Sequence, residues 1–225
     1  MKLTKRNLSL IYKATLIILC SLGIVMNFMY LKQPFYMTIS YYTIQSNIAC
    51  LIVIILFFVK ELRNSPLTEG QIRLKAGFTV MIFLTFLVYH FLLSPFLESL
   101  DIDYQFLQFS DVLVHYVSPL MVLGDYLLFS EHRLIRKKDP FVWLLIPLTY
   151  WIYTLIYAAL GGIFRLGESV SSYPYYFLDI DTYGFLGILP WIGLIMGVYI
   201  GLGYGLYGLD FLLVKIRHKE KYERE

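Results

Sequence analysis

Long apolar runs separated by short charged segments constrain this chain more than any other feature of its sequence. A helix rises about 1.5 Å per residue, so about 20 apolar residues cross the ~30 Å hydrocarbon layer of a bilayer. Only 16% of the residues are charged, whereas a soluble domain carries about 25%. The sequence therefore predicts an all-α, polytopic membrane protein with one six-span transmembrane domain over residues 1–225. The predicted spans lie at roughly 9–31, 37–60, 74–95, 109–130, 140–163 and 184–210.

The basic residues predict the orientation of the spans. All but two of the 19 Lys and Arg residues lie on one side of the predicted membrane, the exceptions being Lys32 and Arg165. Cytoplasmic connections of membrane proteins carry such an excess, so both termini are predicted to be cytoplasmic. An even number of spans requires the same arrangement. The net charge of +3 thus reflects topology, and no basic stripe predicts nucleic acid as a partner.

Small residues and prolines predict how the last spans pack. Two helices approach closely where small residues recur four apart, and the sixth span has such a series at Gly193, Gly197, Gly201 and Gly205. This glycine groove is expected to pack against another helix of the chain or against a second copy in a homo-oligomer. Pro147 and Pro190 are expected to kink the fifth and sixth spans and so help to open a cavity.

Two polar stripes interrupt the apolar pattern. The second span opens with YYTIQSN, where Gln45 points away from a face shared by Thr43, Ser46, Asn47 and Cys50. The fourth span has a second stripe at Asp111, His115, Ser118 and Asp125. Polar and ionisable residues inside spans usually face the bundle interior or a watery cavity. The stripes therefore predict a polar site where the two helices meet.

Depth selects which residues of the stripes act together. Counted from the external ends of their spans, Thr43, His90 and His115 all lie roughly 6–9 Å below the outer boundary. Asp125 lies near the cytoplasmic end of its span, too deep to join them, and is expected to make a helix-terminal or inter-helix hydrogen bond. One hydroxyl and two imidazoles at a single level form a candidate chemical site.

Such a set is suited to nucleophilic acyl transfer. A Thr hydroxyl becomes a nucleophile when a base takes its proton, and an imidazole can be that base and then the acid. Asp111, one turn from His115, or Asp179, in the external loop, is expected to orient the imidazole. Ser46 is expected to support the site, and the Asn47 amide or a Tyr hydroxyl to stabilise the oxyanion. Thr, Ser and His also bond backbone carbonyls in packed helices, so spacing alone leaves both interpretations open.

A family resemblance favours the chemical interpretation. The intramembrane Thr43, the H-x-x-x-P pattern from His115 to Pro119 and the external sequence YPYYFLD occur on a predicted six-span, N-in scaffold. In these features the chain resembles the androgen-induced-protein/FAR-17a-like family, which includes androgen-dependent TFPI-regulating protein, and it looks most like the bacterial branch.

The resemblance implies a function. Eukaryotic members of that family are multi-pass membrane threonine hydrolases that cleave fatty acid esters of hydroxy fatty acids. By resemblance, Thr43 is the nucleophile and His115 the histidine, acting on a fatty-acyl ester that enters from the bilayer. The implied location is a bacterial plasma membrane, with the site opening toward the external side, and no cofactor is expected.

Two other functions remain open at this stage. A non-enzymatic binder or transporter of lipids or small molecules would use the same cavity, with His90 and His115 as proton-linked contacts. The sequence has neither an internal repeat nor a charged path through the cytoplasmic half to favour transport. A metal held by His90, His115 and Asp111 lacks a ligand-spacing motif.

Cys20 and Cys50 are expected to be small buried residues without a disulfide.

Overall fold

The computed structural model describes residues 4–31, 33–99, 108–166 and 169–222. Within those residues most of the chain is helical, and the only strands, β1 (Phe164–Leu166) and β2 (Ser169–Ser171), form an antiparallel hairpin. The helices are α1 (Lys5–Leu31), α2 (Phe35–Thr38), α3 (Tyr42–Leu62), α4 (Glu69–Val88), α5 (Ser94–Ser99), α6 (Phe109–Val112), α7 (Ser118–Phe129), α8 (Asp139–Trp143), α9 (Leu145–Ala159) and α10 (Ile180–Tyr222).

The predicted all-α, six-span architecture is confirmed. Six helical stretches are long and apolar enough to cross a bilayer. They are Lys5–Met29, Tyr42–Leu62, Glu69–Ser99, Phe109–Phe129, Asp139–Ala159 and Ile180–Lys215. Many large apolar side chains on their outer faces are exposed, as expected for surfaces that contact lipid chains.

The second span begins later than the sequence predicted. The short helix α2 and a turn precede it, so α3 starts at Tyr42 and Thr43 is its second residue. The amides in the first turn of a helix have no partner inside that helix. Thr43 therefore lies at an end of α3 where backbone N–H groups are available. We call this end of the bundle the site end, and the other the far end.

The central helices enclose a layered core. Helix α1 packs against α3, α6 and α7, and α4 packs against α3, α7 and α10. Apolar side chains such as Leu16, Cys50, Met81 and Val122 fill the centre, and both cysteines are free and buried. A cluster of Tyr150, Tyr173, Phe177 and Leu178 covers the site end. Helix α5 ends at Ser99, and residues 100–107 lie outside the described part of the chain.

Two prolines are each preceded by a widened, π-helical turn. Proline lacks an N–H, and its ring displaces the carbonyl four residues earlier. Pro95 follows the π turn Tyr89–Leu93, which joins α4 to α5, and Pro119 follows the π turn Leu113–Val117, which joins α6 to α7. π turns of this kind are often found at functional sites. Here they contain Tyr89 and His115.

The prolines predicted to kink the last two spans behave differently. Pro147 lies in the first turn of α9, just after the break that separates α8 from α9. Pro190 lies inside α10, but the non-helical backbone of that helix is at Gly184, whose φ of 69° suits glycine.

Asp125 joins its helix to two others, as the expected inter-helix contact would, but it does so through two ion pairs. Its two carboxylate oxygens lie 2.9 Å from Lys13 Nζ and 2.6 Å from Lys75 Nζ, and all three side chains are buried. Lys13 also lies 3.0 Å from a Glu61 oxygen. Lys75 lies between Ile72 and Ala76, which are core residues, so it belongs to the buried face of α4. The far end of the bundle therefore contains a buried ionic network. The sequence analysis did not predict it, because it counted these lysines only as charges that flank the spans.

The glycine groove does not pack against the rest of the described chain. A Cβ added at Gly193, Gly197, Gly201 or Gly205 would meet no atom within 4 Å. Packing inside the chain, one of the two expected uses of the groove, is therefore contradicted. Close approach occurs instead at Gly203, where a Cβ would lie 2.8 Å from Cβ of Pro140.

We expect Asp125→Asn to destabilise the protein by about 3–5 kcal/mol, because it leaves two buried lysines without their shared carboxylate. The matched control is Glu69→Gln, since Glu69 pairs with Arg136 at an exposed site and its loss costs about 1 kcal/mol or less. Thermal unfolding of the detergent-solubilised variants measures both. Equal shifts in the unfolding midpoint would show that the ionic network contributes no more than a surface pair.

Candidate functional site

Thr43 and His115 meet at the site end. Thr43 Oγ1 lies 3.2 Å from His115 Nε2, and both side chains are buried. The start of α3 presents the hydroxyl, and the π turn before Pro119 presents the imidazole. The contact joins two residues that are 72 positions apart in the sequence. It has the nucleophile-to-base geometry that acyl transfer requires.

The hydrogen bond made by Nδ1 of His115 determines which ring nitrogen carries the proton. His115 Nδ1 lies 3.1 Å from the backbone carbonyl oxygen of Asp111, which can only accept a hydrogen bond. Nδ1 is therefore the N–H donor, and the neutral ring has its lone pair on Nε2, facing the Thr43 hydroxyl. This tautomer is the one that a general base for Thr43 needs.

Two further contacts fix the position of the imidazole. The Tyr89 ring stacks on it, with centroids 3.7 Å apart and planes 15° apart. The Asp111 carboxylate, expected to orient His115, has its nearer oxygen 4.0 Å from Nδ1, farther than the carbonyl oxygen of the same residue. The backbone of Asp111 thus performs the orientation predicted for its side chain.

Ser46 and Asn47 hold the helices together around Thr43. Asn47 Nδ2 donates to the carbonyl oxygens of Thr43 at 2.8 Å and of Val114 at 3.0 Å. These bonds use both amide protons, so the expectation that Asn47 stabilises an oxyanion is wrong. Ser46 Oγ donates to the Thr43 carbonyl at 3.0 Å and lies 3.0 Å from Thr85 Oγ1.

His90 does not join the site, contrary to the sequence expectation. Its Nδ1 lies 3.1 Å from the hydroxyl of Tyr116, and its side chain is exposed. Consecutive residues of a helical turn point in different directions, so Tyr89 faces His115 while His90 faces outward. Equal depth was therefore insufficient to bring the second histidine to Thr43.

Asp179 also has a different role from the one expected. One carboxylate oxygen accepts from the Ser171 hydroxyl at 3.0 Å and the other from the Thr182 backbone N–H at 3.0 Å. The second bond caps the start of α10, because a side chain just before a helix satisfies a free amide there. Asp179 therefore anchors residues 172–179, a segment that we call the cap, and it does not orient His115.

A cavity with ≈ 580 Å³ of empty space, including its open part, adjoins Thr43 beneath the cap. The cavity lies between α3, α4, α9 and α10. Its walls are mainly apolar, with Leu84, Val88, Trp151, Ile192, Ile195 and Met196 among them. Its lining also includes four further hydroxyl-bearing side chains, Tyr42, Thr85, Tyr150 and Tyr175. Two of these hydroxyls lie at the start of α3, because Tyr175 contacts the Thr43 hydroxyl and Tyr150 accepts from the Tyr42 N–H. The cavity is thus an apolar chamber with one polar end.

The tyrosines at the polar end, unlike Thr43 and His115, could not be chosen from the sequence. YPYYFLD contributed to the family resemblance as a whole, and it did not separate Tyr175 from Tyr173 or Tyr176. Tyr150 lies in a run of aromatic residues without distinctive spacing. Tyr89, adjacent to the histidine that was chosen, carried no signal of its own.

Metal binding has no support from the side-chain geometry. Among the residues that the structure describes, no group of three or more His, Cys, Asp and Glu side chains could hold a metal ion. His115 uses Nε2 toward Thr43, and His90 points away from it.

Comparison of the chain with models of protein families, with curated proteins and with solved structures finds no match. The family resemblance noted in the sequence therefore stays a prediction. A functional proposal rests on the contacts of Thr43 and His115 and on the cavity beside them.

We expect nitrogen-15 NMR of selectively labelled protein to show neutral His115 as the Nδ1–H tautomer, because the Asp111 carbonyl accepts that proton. The spectrum of a His115→Gln variant assigns the signal by its disappearance, and His90→Gln should leave it in place. A protonated Nε2 on the neutral ring would contradict the proposed direction of the Thr43 hydrogen bond.

Proposed function

We propose that this protein is an intramembrane hydrolase of single-chain fatty-acyl esters, with Thr43 as nucleophile and His115 as general base. The observation that carries the proposal is the 3.2 Å contact between Thr43 Oγ1 and the proton-free nitrogen of His115, at the polar end of an apolar cavity. The family resemblance implies the same pair.

The chemistry follows from the position of the proton. Thr43 Oγ1 bonds to the ester carbonyl carbon while His115 Nε2 takes the hydroxyl proton, and the carbonyl electron pair moves onto its oxygen. When that pair returns, the bond to the alcohol breaks, and the leaving alkoxide takes the proton from Nε2. Water, activated by the same nitrogen, then hydrolyses the acyl-threonine and releases a fatty acid.

The cavity favours an acyl chain as the group that it holds. Among the described residues that line it, none is Lys, Arg, His, Asp or Glu. Burying a phosphate or ammonium head group there would cost several kcal/mol without a partner, on the order of 5 or more. A neutral ester with a hydrocarbon chain pairs its only polar group with the only polar end of the cavity.

The position of Thr43 also suits a lipid ester. Thr43 is at the start of a membrane-spanning helix, and the cavity extends from it between α4, α9 and α10. Ester groups of lipids lie near the head-group boundary and their chains point to the midplane. The substrate would therefore enter sideways from one leaflet, which the basic-residue distribution assigns to the external side.

A non-enzymatic binder or transporter would use the same cavity, and the buried Lys13, Asp125 and Lys75 supply charges in the half where the sequence showed no path. Apolar residues nevertheless separate those charges from the cavity. On α1, the buried side chain of Leu16 separates Lys13 from Cys20, which contacts Asn47. On the fourth span, the buried side chain of Val122 separates His115 from Asp125. The Thr43–His115 contact has the geometry of a nucleophile and its base, so we favour the hydrolase.

We expect Thr43→Ala to abolish covalent labelling by a long-chain fluorophosphonate and to reduce hydrolysis of a long-chain p-nitrophenyl ester to background. His115→Ala should lower the rate about 10²–10⁴-fold, because the hydroxyl loses its base. Intact mass spectrometry after labelling and initial-rate measurements in detergent micelles test both.

The matched control for these variants is Thr79→Ala, which removes a buried threonine hydroxyl of α4 that bonds the Lys75 carbonyl, away from the cavity. Its labelling and rate should match those of the wild type. Labelling that persists in Thr43→Ala would show that another residue is the nucleophile.

A further inference from the structure

Attack by Thr43 would place a negative charge on the carbonyl oxygen of the ester, and a hydrogen-bond donor must face that oxygen. Stabilisation of this charge is often the largest single contribution to catalysis of acyl transfer. The site described so far supplies a nucleophile and a base but no such donor. The following inference therefore rests on the proposed function and concerns the donor.

Most candidate donors around Thr43 have already committed their protons. Asn47 donates both amide protons to backbone carbonyls. Ser46 donates to the Thr43 carbonyl, so in its contact with Thr85 the Thr85 hydroxyl is the donor. The Tyr150 hydroxyl accepts from the Tyr42 N–H at 3.0 Å and donates to the Ser40 carbonyl at 3.1 Å.

The remaining hydroxyl is that of Tyr175. Its oxygen accepts from the backbone N–H groups of Thr43 and Tyr42 at the start of α3, and the same hydroxyl contacts the hydroxyls of Thr43 and Tyr150. A hydroxyl has one proton, so in the free protein the Thr43 or the Tyr150 oxygen accepts it, and a bound ester carbonyl oxygen would replace that acceptor. Tyr175 lines the same cavity as Thr43. The α3 backbone bonds from Ile44 and Gln45 go to the Tyr41 carbonyl, and the Thr43 N–H, in the first turn, needs no partner from the helix.

Aromatic contacts hold the Tyr175 ring in that position. It stacks on Phe177, with centroids 5.3 Å apart and planes 10° apart, and it meets the Tyr41 ring edge-on at 6.2 Å. Burial raises the pKa of the Tyr175 hydroxyl, which therefore keeps its proton at neutral pH and can donate it. A donor held by its surroundings needs no reorganisation when the charge develops.

We propose that Tyr175 is a catalytic residue whose hydroxyl donates a hydrogen bond to the ester carbonyl oxygen as Thr43 attacks. The backbone N–H of Thr43 donates a second. One donor thus comes from the cap and the other from the first turn of α3.

This assignment also explains what the cap contributes. Tyr175 belongs to YPYYFLD, one of the sequence features that carry the family resemblance. The cap is fixed at one end by the Asp179 bonds to Ser171 and Thr182. Its role in the proposal is to hold the Tyr175 hydroxyl beside Thr43.

The experiment compares Tyr175→Phe with Tyr176→Phe. The first removes the proposed donor and keeps the ring. The second removes a neighbouring hydroxyl whose ring packs on Phe96 and Trp191 instead of lining the cavity. With a long-chain p-nitrophenyl ester, we expect kcat of Tyr175→Phe to fall about 10²–10³-fold, with KM within about twofold of the wild-type value. Tyr176→Phe should match the wild type.

A binding measurement separates charge stabilisation from cavity shape. A long-chain alkyl trifluoromethyl ketone adds to Thr43 and forms a tetrahedral oxyanion, whereas the methyl ether of the same chain length stays neutral. Tyr175→Phe should weaken ketone binding by a factor similar to the loss in kcat and leave ether binding unchanged. Equal weakening of both ligands would overturn the proposal, because Tyr175 would then only shape the cavity.

The hydrolase proposal and the assignment of Tyr175 can be contradicted separately. If the wild-type protein forms no adduct at Thr43 with the ketone or the fluorophosphonate, the hydrolase proposal fails, and the role of Tyr175 fails with it. If Thr43 is acylated at the same rate in the wild type and in Tyr175→Phe, only the assignment of Tyr175 is wrong.

Discussion

The interior of a bilayer offers polar groups no water, and this constraint explains most of the contacts described above. Every polar side chain that faces inward must find a partner within the protein. Asn47 is an example, because its two donated bonds join α3 to the turn that carries His115 and also fix the Thr43 carbonyl. The bonds that hold these helices together are thus the same bonds that position the candidate nucleophile. Packing and chemistry are not separate sets of residues at this site.

The two prolines shape the site as strongly as the polar side chains do. An uninterrupted α-helix would bond the Asp111 carbonyl to the backbone four residues later. The π turn before Pro119 allows the His115 side chain to bond that carbonyl, and this bond selects the tautomer. The π turn before Pro95 carries Tyr89, which stacks on the same imidazole. Two local defects of helix geometry, each caused by a missing N–H, therefore converge on one ring.

The sequence predicted the six apolar spans, because hydropathy is a local pattern. Periodicity and depth placed Thr43 and His115 on polar faces at one level, and the family resemblance then selected that pair. The sequence could not show that Tyr89, and not His90, faces His115. A π turn inserts one residue into the helix and so changes the directions in which the side chains before it point. The sequence could not tell that the Asn47 protons are committed, because that depends on a carbonyl in another helix. Lys13 and Lys75 were counted as flanking charges, and only packing shows that they point inward. Tyr175 was one of several tyrosines until the fold aimed a single hydroxyl at Thr43.

The buried ionic network bears on the order in which the bundle assembles. During synthesis α1 and α4 emerge before α7, so Lys13 and Lys75 are present before the carboxylate of Asp125 that lies between them. Two ammonium groups directed at one point repel each other, and before α7 arrives the carboxylate nearest to them is that of Glu61, 3.0 Å from Lys13. Arrival of the fourth span converts that repulsion into two attractions. The fourth span, which supplies His115, therefore also supplies the carboxylate that lets α1 and α4 pack together. Completion of the fold and completion of the site thus depend on the same span.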